Sequence, residues 1–430
     1  MNPALETLQT PDGLPKRTSV VIIGGGIVGV CAALTLAEQK IPVVLLEKGS
    51  IAGEQSSRNL GWIRKTNRHA EDIPLALLAD QLWHRLPERI GRSVGYQQAG
   101  IVFVAANEAQ MAPYEGWLKS VESLSLGSRL LSQAEIEQRI PGGKARWAGA
   151  IYTASDGYAE PGQAAPGIAG AAMRKGAILI QNCAARTLTT TGGQISGVVT
   201  EHGEIACEQV LLAGGAWSRR FLGHLGIGLP TLPLICSVLQ TRPLEGPTRI
   251  AVGGPNFSFR KHQHGGFIIT QRGHLKAPLT LDHLLLGWRY LKQLRTQGSQ
   301  VRVSFGRHFF KDLALARRWK ADSVTPFERI RTQAPRTIES INQEALSHLR
   351  KAWPVFEDAA IEHSWAGLID VTPDSTPVID QVAKIPGLTV ATGFSGHGFG
   401  TGPAAGQVAA EMLIGAPTSV DLRPYRMSRF

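Results

Sequence analysis

A six-residue loop does most to limit the folds open to this chain. Gly24-Gly25-Gly26-Ile27-Val28-Gly29 follows the apolar, β-branched run Ser19-Val20-Val21-Ile22-Ile23. A near-continuous apolar run is what a strand buried on both faces of a parallel sheet requires. Val28 to Glu38 is rich in alanine and leucine and predicts a helix; Pro42 to Glu47 predicts a second strand. Strand, glycine loop, helix and strand within about 30 residues make the βαβ unit that holds a dinucleotide. Gly24 permits the tight turn, Gly26 lets the backbone approach a pyrophosphate, and Gly29 lets helix and strand pack closely. Glu47 ends the second strand, where an acid accepts hydrogen bonds from ribose hydroxyls and disfavours a 2′-phosphate. Ile27, Val28 and Lys48 complete the expected cofactor contacts of this unit.

The loop alone does not choose between NAD and FAD. Two further segments tip the balance. The polar stretch after Glu47 carries Gln55-Ser56-Ser57-Arg58-Asn59, whose hydroxyls and guanidinium suit diphosphate oxygens. A second glycine loop, Gly393 to Gly400, contains Gly396, His397, Gly398, Phe399 and Gly400 and leads into a helix expected from Pro403 to Leu413. A helix N-terminus presents N–H groups and positive dipole charge. A reduced flavin carries negative charge near N1 and the C2 carbonyl, which such a terminus stabilises.

With these motifs the chain resembles the D-amino-acid oxidase/glycine oxidase superfamily of FAD-dependent oxidoreductases, in its bacterial D-amino-acid dehydrogenase-like branch. The glycine loop, Glu47 and the serine loop carry the resemblance. So do Asp156-Gly157 with Pro161, Leu212-Ala213-Gly214-Gly215-Ala216-Trp217-Ser218, Trp365-Ala366-Gly367, Thr372-Pro373-Asp374 with Pro377, and the last glycine loop. The resemblance implies non-covalent FAD, with Ala213, Gly214, Trp217 and Gly367 beside it and the strand at Ala185 meeting adenine. It implies oxidation of an amino acid, most of all a D-amino acid, by hydride transfer from Cα to flavin N5. Electrons are then expected to pass to a quinone or a carrier protein. Two rivals stay open: a secondary-amine oxidase or dehydrogenase for sarcosine- or proline-like substrates, and a non-catalytic FAD-bearing subunit of a membrane complex.

The chain departs from some amino-acid-oxidising relatives at Ile369, where they carry an arginine that clamps the substrate carboxylate. Another cation must serve, and Arg64, then Arg272, then Arg260 are the candidates, because a planar guanidinium suits a carboxylate. His397 is expected to orient rather than to act as a base, since hydride transfer from a neutral amine needs none.

A length of 430 residues predicts more than one core. The expected fold is α/β (α+β overall). A Rossmann-type FAD-binding domain is discontinuous (residues 17–90, 150–225 and 360–430), and a mostly antiparallel β-sheet substrate domain covers 91–149 and 226–359. Within the latter, 277–325 reads as a basic helical insertion. Leu281, Leu284, Leu285, Trp288, Leu291 and Leu294 recur at helical spacing behind a Thr280 N-cap, and a second helix is expected over Phe309–Lys320. Elsewhere, helices are expected over Ala164–Lys175 and Thr337–Trp353, paired strands over Gln194–Thr200 and Glu204–Leu212, and a hairpin across Lys261 to Gly265.

Net charge is +11, and from Arg272 to Arg331 thirteen Lys/Arg face four acids. The segment reads either as a solvated helical pair that covers a domain or as a docking face for an anionic surface; its apolar neighbours then suit an anionic membrane better than nucleic acid, for which no motif is present. No metal-ligand spacing occurs, and the four cysteines form no zinc or disulfide pattern. The first residues lack a signal-peptide h-region and no run of about 18 apolar residues appears. The expected location is the cytoplasm, or the inner face of the cytoplasmic membrane as a peripheral protein.

Overall fold

The computed structural model describes residues 3–11, 13–297 and 301–430. Asp12 and residues 298–300, the latter inside the expected basic insertion, lie outside the described residues. The apolar runs of the N-terminal βαβ unit form what their composition demands. Val20–Ile23 and Val43–Leu46 pair in parallel, joined by the helix Ile27–Glu38, which is buried along nearly its whole length. They belong to a six-stranded sheet in the order Val378–Gln381, Leu388–Thr392, Gln209–Leu212, Val20–Ile23, Val43–Leu46, Ile178–Ile180. Only its C-terminal edge pair is antiparallel. On one face of this sheet the first helix packs on the closing helix Gly398–Leu413 and on Pro161–Arg174; the other face packs against the segment around Ile195, Val198 and Ile205.

A second, larger sheet is mostly antiparallel. At its centre Leu232–Thr241 pairs with Ile361–Val371 and with Phe267–Thr270. Its far side is formed by Ile101–Ala105, Ser128–Leu131 and Gly149–Thr153. The expected hairpin is present as Ser258–Lys261 with Phe267–Thr270. The amphipathic helix Glu339–Ala352 packs its Ile341, Ala345, Leu346 and Leu349 face against this sheet's apolar core. The two sheets meet around the cavity described below.

Several expected elements are corrected by the structure. Glu204–Leu212 is not one strand. Gly203–Ala206 pairs with Gln194–Thr200 in a small antiparallel sheet, and Gln209–Leu212 enters the parallel sheet. The chain turns between them because Glu208 and Gln209 both donate their N–H to the Ser19 carbonyl. The closing helix starts at Gly398, ahead of Pro403, which it carries inside. The basic insertion is not wholly helical. Leu281–Leu286 passes through a 3₁₀ turn, Gly287–Tyr290, into Leu291–Gln297, and the strand Val301–Ser304 then adds in parallel to Leu275–Pro278. The turn is fixed by Tyr290, whose buried hydroxyl bonds the carbonyls of Pro230 (2.8 Å) and Val371 (2.7 Å). The helix at 307 stops at Leu313. Beyond it Arg317 pairs with Asp282 (2.8 Å), and Trp319 stacks on His224 and donates to the Arg186 carbonyl, so the chain is pulled out of helical register.

Candidate functional site

A cavity of about 290 Å³ runs from the C-terminal ends of the parallel strands to the large antiparallel sheet. This is where open α/β sheets bind ligands, because loops and helix N-termini converge there. At one end lie Glu47, Lys48, Cys183 and Ala185; at the other lie Val238, Thr270, Gly367, Ile369, Gly396, Gly398 and Phe399. Gly24, Gly26, Ile27, Val28, Gln55, Ser56, Arg58, Asn59, Ala213, Gly214 and Trp217 line the length between.

The glycine loop takes its shape from close approaches. Gly24 has φ 117°, and a Cβ there would collide with the Ala213 carbonyl. A Cβ on Gly29 would overlap the Gly24 carbonyl oxygen, so Gly29 closes the strand–helix contact from behind and does not line the cavity. At Gly26 a Cβ would meet only Ser56 Oγ, at 3.1 Å, and would otherwise fill the cavity. Gly26 therefore leaves room for a ligand at the helix N-terminus.

Glu47 is locked in place. Its carboxylate accepts the Gly25 N–H and the Gly49 N–H, each at 2.8 Å. Burial raises its pKa, opposed by Lys48 and by those two N–H groups. Lys48 itself is spoken for. Its ammonium pairs with Glu54 (2.8 Å), donates to the carbonyls of Ile330 and Arg331, and sits 4.5 Å over the Trp217 ring. Trp217 in turn donates Nε1–H to Glu54 at 3.1 Å.

The serine loop is an organiser as well as a wall. Ser56 Oγ accepts the Ile27 N–H (2.9 Å) and so caps a helix whose own N-cap, Gly26, has no side chain. Arg58 donates to the carbonyls of Ala366 (3.2 Å) and Gly53 (3.1 Å), and burial lowers its pKa. Asn59 bonds back to Gln55 and Ser56. Gln55 donates to Asp370 (2.8 Å) and accepts the Ala216 N–H. Ser57 faces away from the cavity and bonds the Glu54 carbonyl.

Asp370 and Glu54 are hubs that sequence reasoning did not single out. Asp370 accepts from Gln55, from the Gly393 N–H (2.8 Å) and from Thr392 Oγ1, tying the serine loop to the last glycine loop. Burial raises its pKa, and these donors oppose that. The closing helix points its N-terminus at the cavity through Gly398 and Phe399, while Gly400 packs against the Trp62 carbonyl. His397 lies behind, off the cavity wall, with its Nε2 3.0 Å from Arg64 Nη2. Burial first, then Arg68 and Arg64, hold its pKa well below the ordinary value. Arginine only donates, so neutral His397 accepts through Nε2 and carries its proton on Nδ1.

The three candidate cations differ sharply. Arg260 is fully buried in a bidentate pair with Glu160 (2.8 and 2.7 Å) and also bonds the carbonyls of Leu60 and Lys261. That engagement withdraws Arg260 from the substrate candidates. Arg64 donates to the carbonyls of Thr66 and Asn67 and to His397. Arg272 makes one long contact to the Gly254 carbonyl (3.5 Å) and lies 4.4 Å from the Phe103 ring centroid. Among the described residues, neither Arg64 nor Arg272 has a carboxylate within ion-pair distance. Phe103 was hidden in the sequence within the apolar strand Ile101–Ala105, where nothing sets it apart.

An anion-accepting helix N-terminus, an acid at the ribose position and a glycine cradle open to the cavity fit FAD. Fold and site define a flavoprotein oxidoreductase. Residues 19–412 match the model of the DAO family, FAD dependent oxidoreductase, and the chain belongs to that family. It is an FAD-dependent enzyme of amino-acid or amine oxidation. Among solved structures it is similar to an L-amino acid deaminase from Proteus myxofaciens (TM-score 0.96, 31% identity, covering 100% of this chain and 97% of that one). It is also similar to an L-amino acid deaminase from Proteus vulgaris (TM-score 0.94, 30% identity, covering 99% and 100%). A glycine oxidase from Geobacillus kaustophilus is 25% identical over 97% of this chain and 98% of its own length.

Proposed function

We propose that the protein oxidises an α-amino acid at its Cα–N bond, with Arg272 holding the α-carboxylate. The observation that carries this reading is Arg272 itself: a half-buried guanidinium two residues beyond the cavity-lining Thr270, over the Phe103 ring, with no carboxylate within ion-pair distance among the described residues. A charge placed so is a ready partner for a ligand carboxylate. Ile369, on the cavity wall, supplies no competing cation. When bound, FAD supplies a ring that takes up the Cα hydrogen as hydride. The chain's part is to fix the carboxylate, to aim the closing helix's N-terminus into the cavity, and to keep the cofactor's ribose and diphosphate on Glu47, Gly24–Gly26 and the serine loop. The resulting imine hydrolyses in water to a 2-oxo acid and ammonia. The L-amino acid deaminases, alike over the whole chain, favour an L-amino acid over the D-amino acid expected from the sequence.

Anaerobic titration of the FAD-loaded protein tests the reading. L-amino acids are expected to bleach the flavin absorbance, with D-amino acids, sarcosine and L-proline slower. Faster bleaching by sarcosine or L-proline moves the protein to the secondary-amine class. An inert flavin against every amine supports the non-catalytic subunit instead.

We further propose that the insertion docks on an anionic membrane and delivers electrons to quinone. Leu284, Leu285, Trp288, Leu291, Val303, Phe305 and Phe310 are all more than half exposed, and Arg289 lies 4.7 Å over Trp288. Apolar side chains beside Lys and Arg make an interfacial face. No helix among the described residues is long and apolar enough to cross a membrane. The protein is expected to co-sediment with phosphatidylglycerol vesicles and not with phosphatidylcholine vesicles. A Trp288→Ser, Leu291→Ser variant should bind at least about tenfold more weakly, given about 1.5–3 kcal/mol per buried large side chain. Equal partitioning of variant and parent would end the idea.

A further inference from the structure

We infer that the substrate carries two carboxylates, the second of them held by Arg64. This rests on the assignment of the α-carboxylate to Arg272. The guanidiniums of Arg64 and Arg272 both pack around Phe103, with their central carbons 5.5 and 4.4 Å from its ring centroid. Those two distances cap the separation of the cations at their sum. What Arg64 touches is neutral: the carbonyls of Thr66 and Asn67, and the imidazole of His397. His397 cannot share or offset the charge, because its Nε2 is an acceptor.

The other cations nearby have carboxylate partners, Lys65 two of them. Arg68 is paired with Asp72, Lys65 with Asp80 (2.8 Å) and Asp156 (3.2 Å), and Arg260 with Glu160. Among the described residues, two guanidiniums with no carboxylate at ion-pair distance therefore share one aromatic ring. Burial first, then Arg68 and Arg272, pull the Arg64 pKa down to about 9, against the opposing effect of the more distant Asp156 and Asp72. A third donor stands beside them. Trp62 packs edge-on to Phe103 (5.5 Å), and its buried Nε1–H has no acceptor among the described residues. A substrate with one carboxylate neutralises one of the two guanidiniums. A dianionic one neutralises both, and a fork of N–H donors suits a carboxylate better than any other biological anion of that size except phosphate.

The shared chemistry, an amine with two carboxylates, has two sources. The second carboxylate can lie on the side chain, as in glutamate or aspartate, or on the nitrogen substituent, as in iminodiacetate. Anaerobic bleaching of the FAD-loaded protein separates them, with glutamate and aspartate of both hands set against leucine, and iminodiacetate against sarcosine. At least one dicarboxylate is expected to react about tenfold faster than its monocarboxylate partner, the reacting pair identifying the source. In Arg64→Met that selectivity ratio should fall about tenfold, to near one, and in Arg64→Lys by less, since the charge-assisted bond is lost in one and reshaped in the other. A binding measurement stands apart from the chemistry. By calorimetry, glutarate should bind the FAD-loaded parent at least about tenfold more tightly than pentanoate, as the loss of a charged hydrogen bond predicts. Arg64→Met should abolish that difference. Bleaching by monocarboxylates alone, or equal binding of glutarate and pentanoate, overturns the inference and leaves amino-acid oxidation standing. Bleaching by no amine at all overturns amino-acid oxidation and this inference together.

Discussion

Replacing Arg272 by methionine should lower kcat/KM for the best amino-acid substrate by about 150-fold, the equivalent of about 3 kcal/mol for a lost charge-assisted hydrogen-bond pair. The flavin spectrum and melting temperature should barely change. Within the protein, Arg272 gives up one long contact and a stacking interaction with Phe103. The latter is worth about 0.5–1 kcal/mol at a partly exposed site. Arg260→Met is the informative contrast. It strands the Glu160 carboxylate, which is buried beside His262 and the Gln263 N–H. Leaving one partner of a buried pair alone costs about 3–5 kcal/mol, so this variant should fail by unfolding rather than by losing substrate. If Arg272→Met keeps its turnover and KM, the α-carboxylate assignment is wrong.

The second large effect concerns the cofactor. Gly29→Ala should destabilise the protein by about 3 kcal/mol and weaken FAD binding by about 100-fold. A methyl group there meets the Gly24 carbonyl oxygen and stands 3.3 Å from Ile22 Cγ2, so strand, loop or helix has to move. Strand and helix are buried and the loop between them lines the cavity, so neither can shift without disturbing it. Gly223→Ala serves as the control. It lies in the helix Ser218–His224 with nothing within 4 Å of its Cβ position, and should be neutral or stabilising by up to about 1 kcal/mol. FAD occupancy read by absorbance, with melting measured by circular dichroism, distinguishes the two. Unchanged FAD affinity in Gly29→Ala would contradict the close-approach argument.

The parts of this fold that were legible in the sequence are those whose cause is local. The N-terminal βαβ unit announces itself by an apolar run, a glycine loop and an acid at a strand end, and it forms within a residue or so of the expected limits. The hairpin across Lys261 to Gly265 is likewise short-range. Where tertiary contacts decide, local pattern misled. Phe309–Lys320 has helical spacing, but pairing with Asp282 and docking on His224 overrule it. Pro403 looked like a helix start, yet the helix begins earlier at Gly398, where the preceding loop is pinned by Asp370. The candidate site divides in the same way. Nearly all the expected cofactor residues line one cavity, because each belongs to a motif with its own signature. The sequence puts Arg64 ahead of Arg272 and Arg260, but it does not show which of them already has a partner. What separates them is the presence or absence of a partner such as Glu160, remote from Arg260 along the chain.

The strand order of the parallel sheet has a consequence in time. Val20–Ile23 is made before its neighbour Gln209–Leu212; the next place is taken by Leu388–Thr392, which emerges long after both. The closing helix, which covers the first helix and faces the cavity, comes later still. Contacts between such distant segments form slowly, because a long loop must close before they contribute. Until the closing helix arrives, a nascent chain therefore leaves part of the apolar first helix uncovered, with no finished pocket for a flavin. Cofactor capture has to wait for these late segments, and termination anywhere before Leu388 should yield aggregation-prone fragments rather than a smaller flavoprotein.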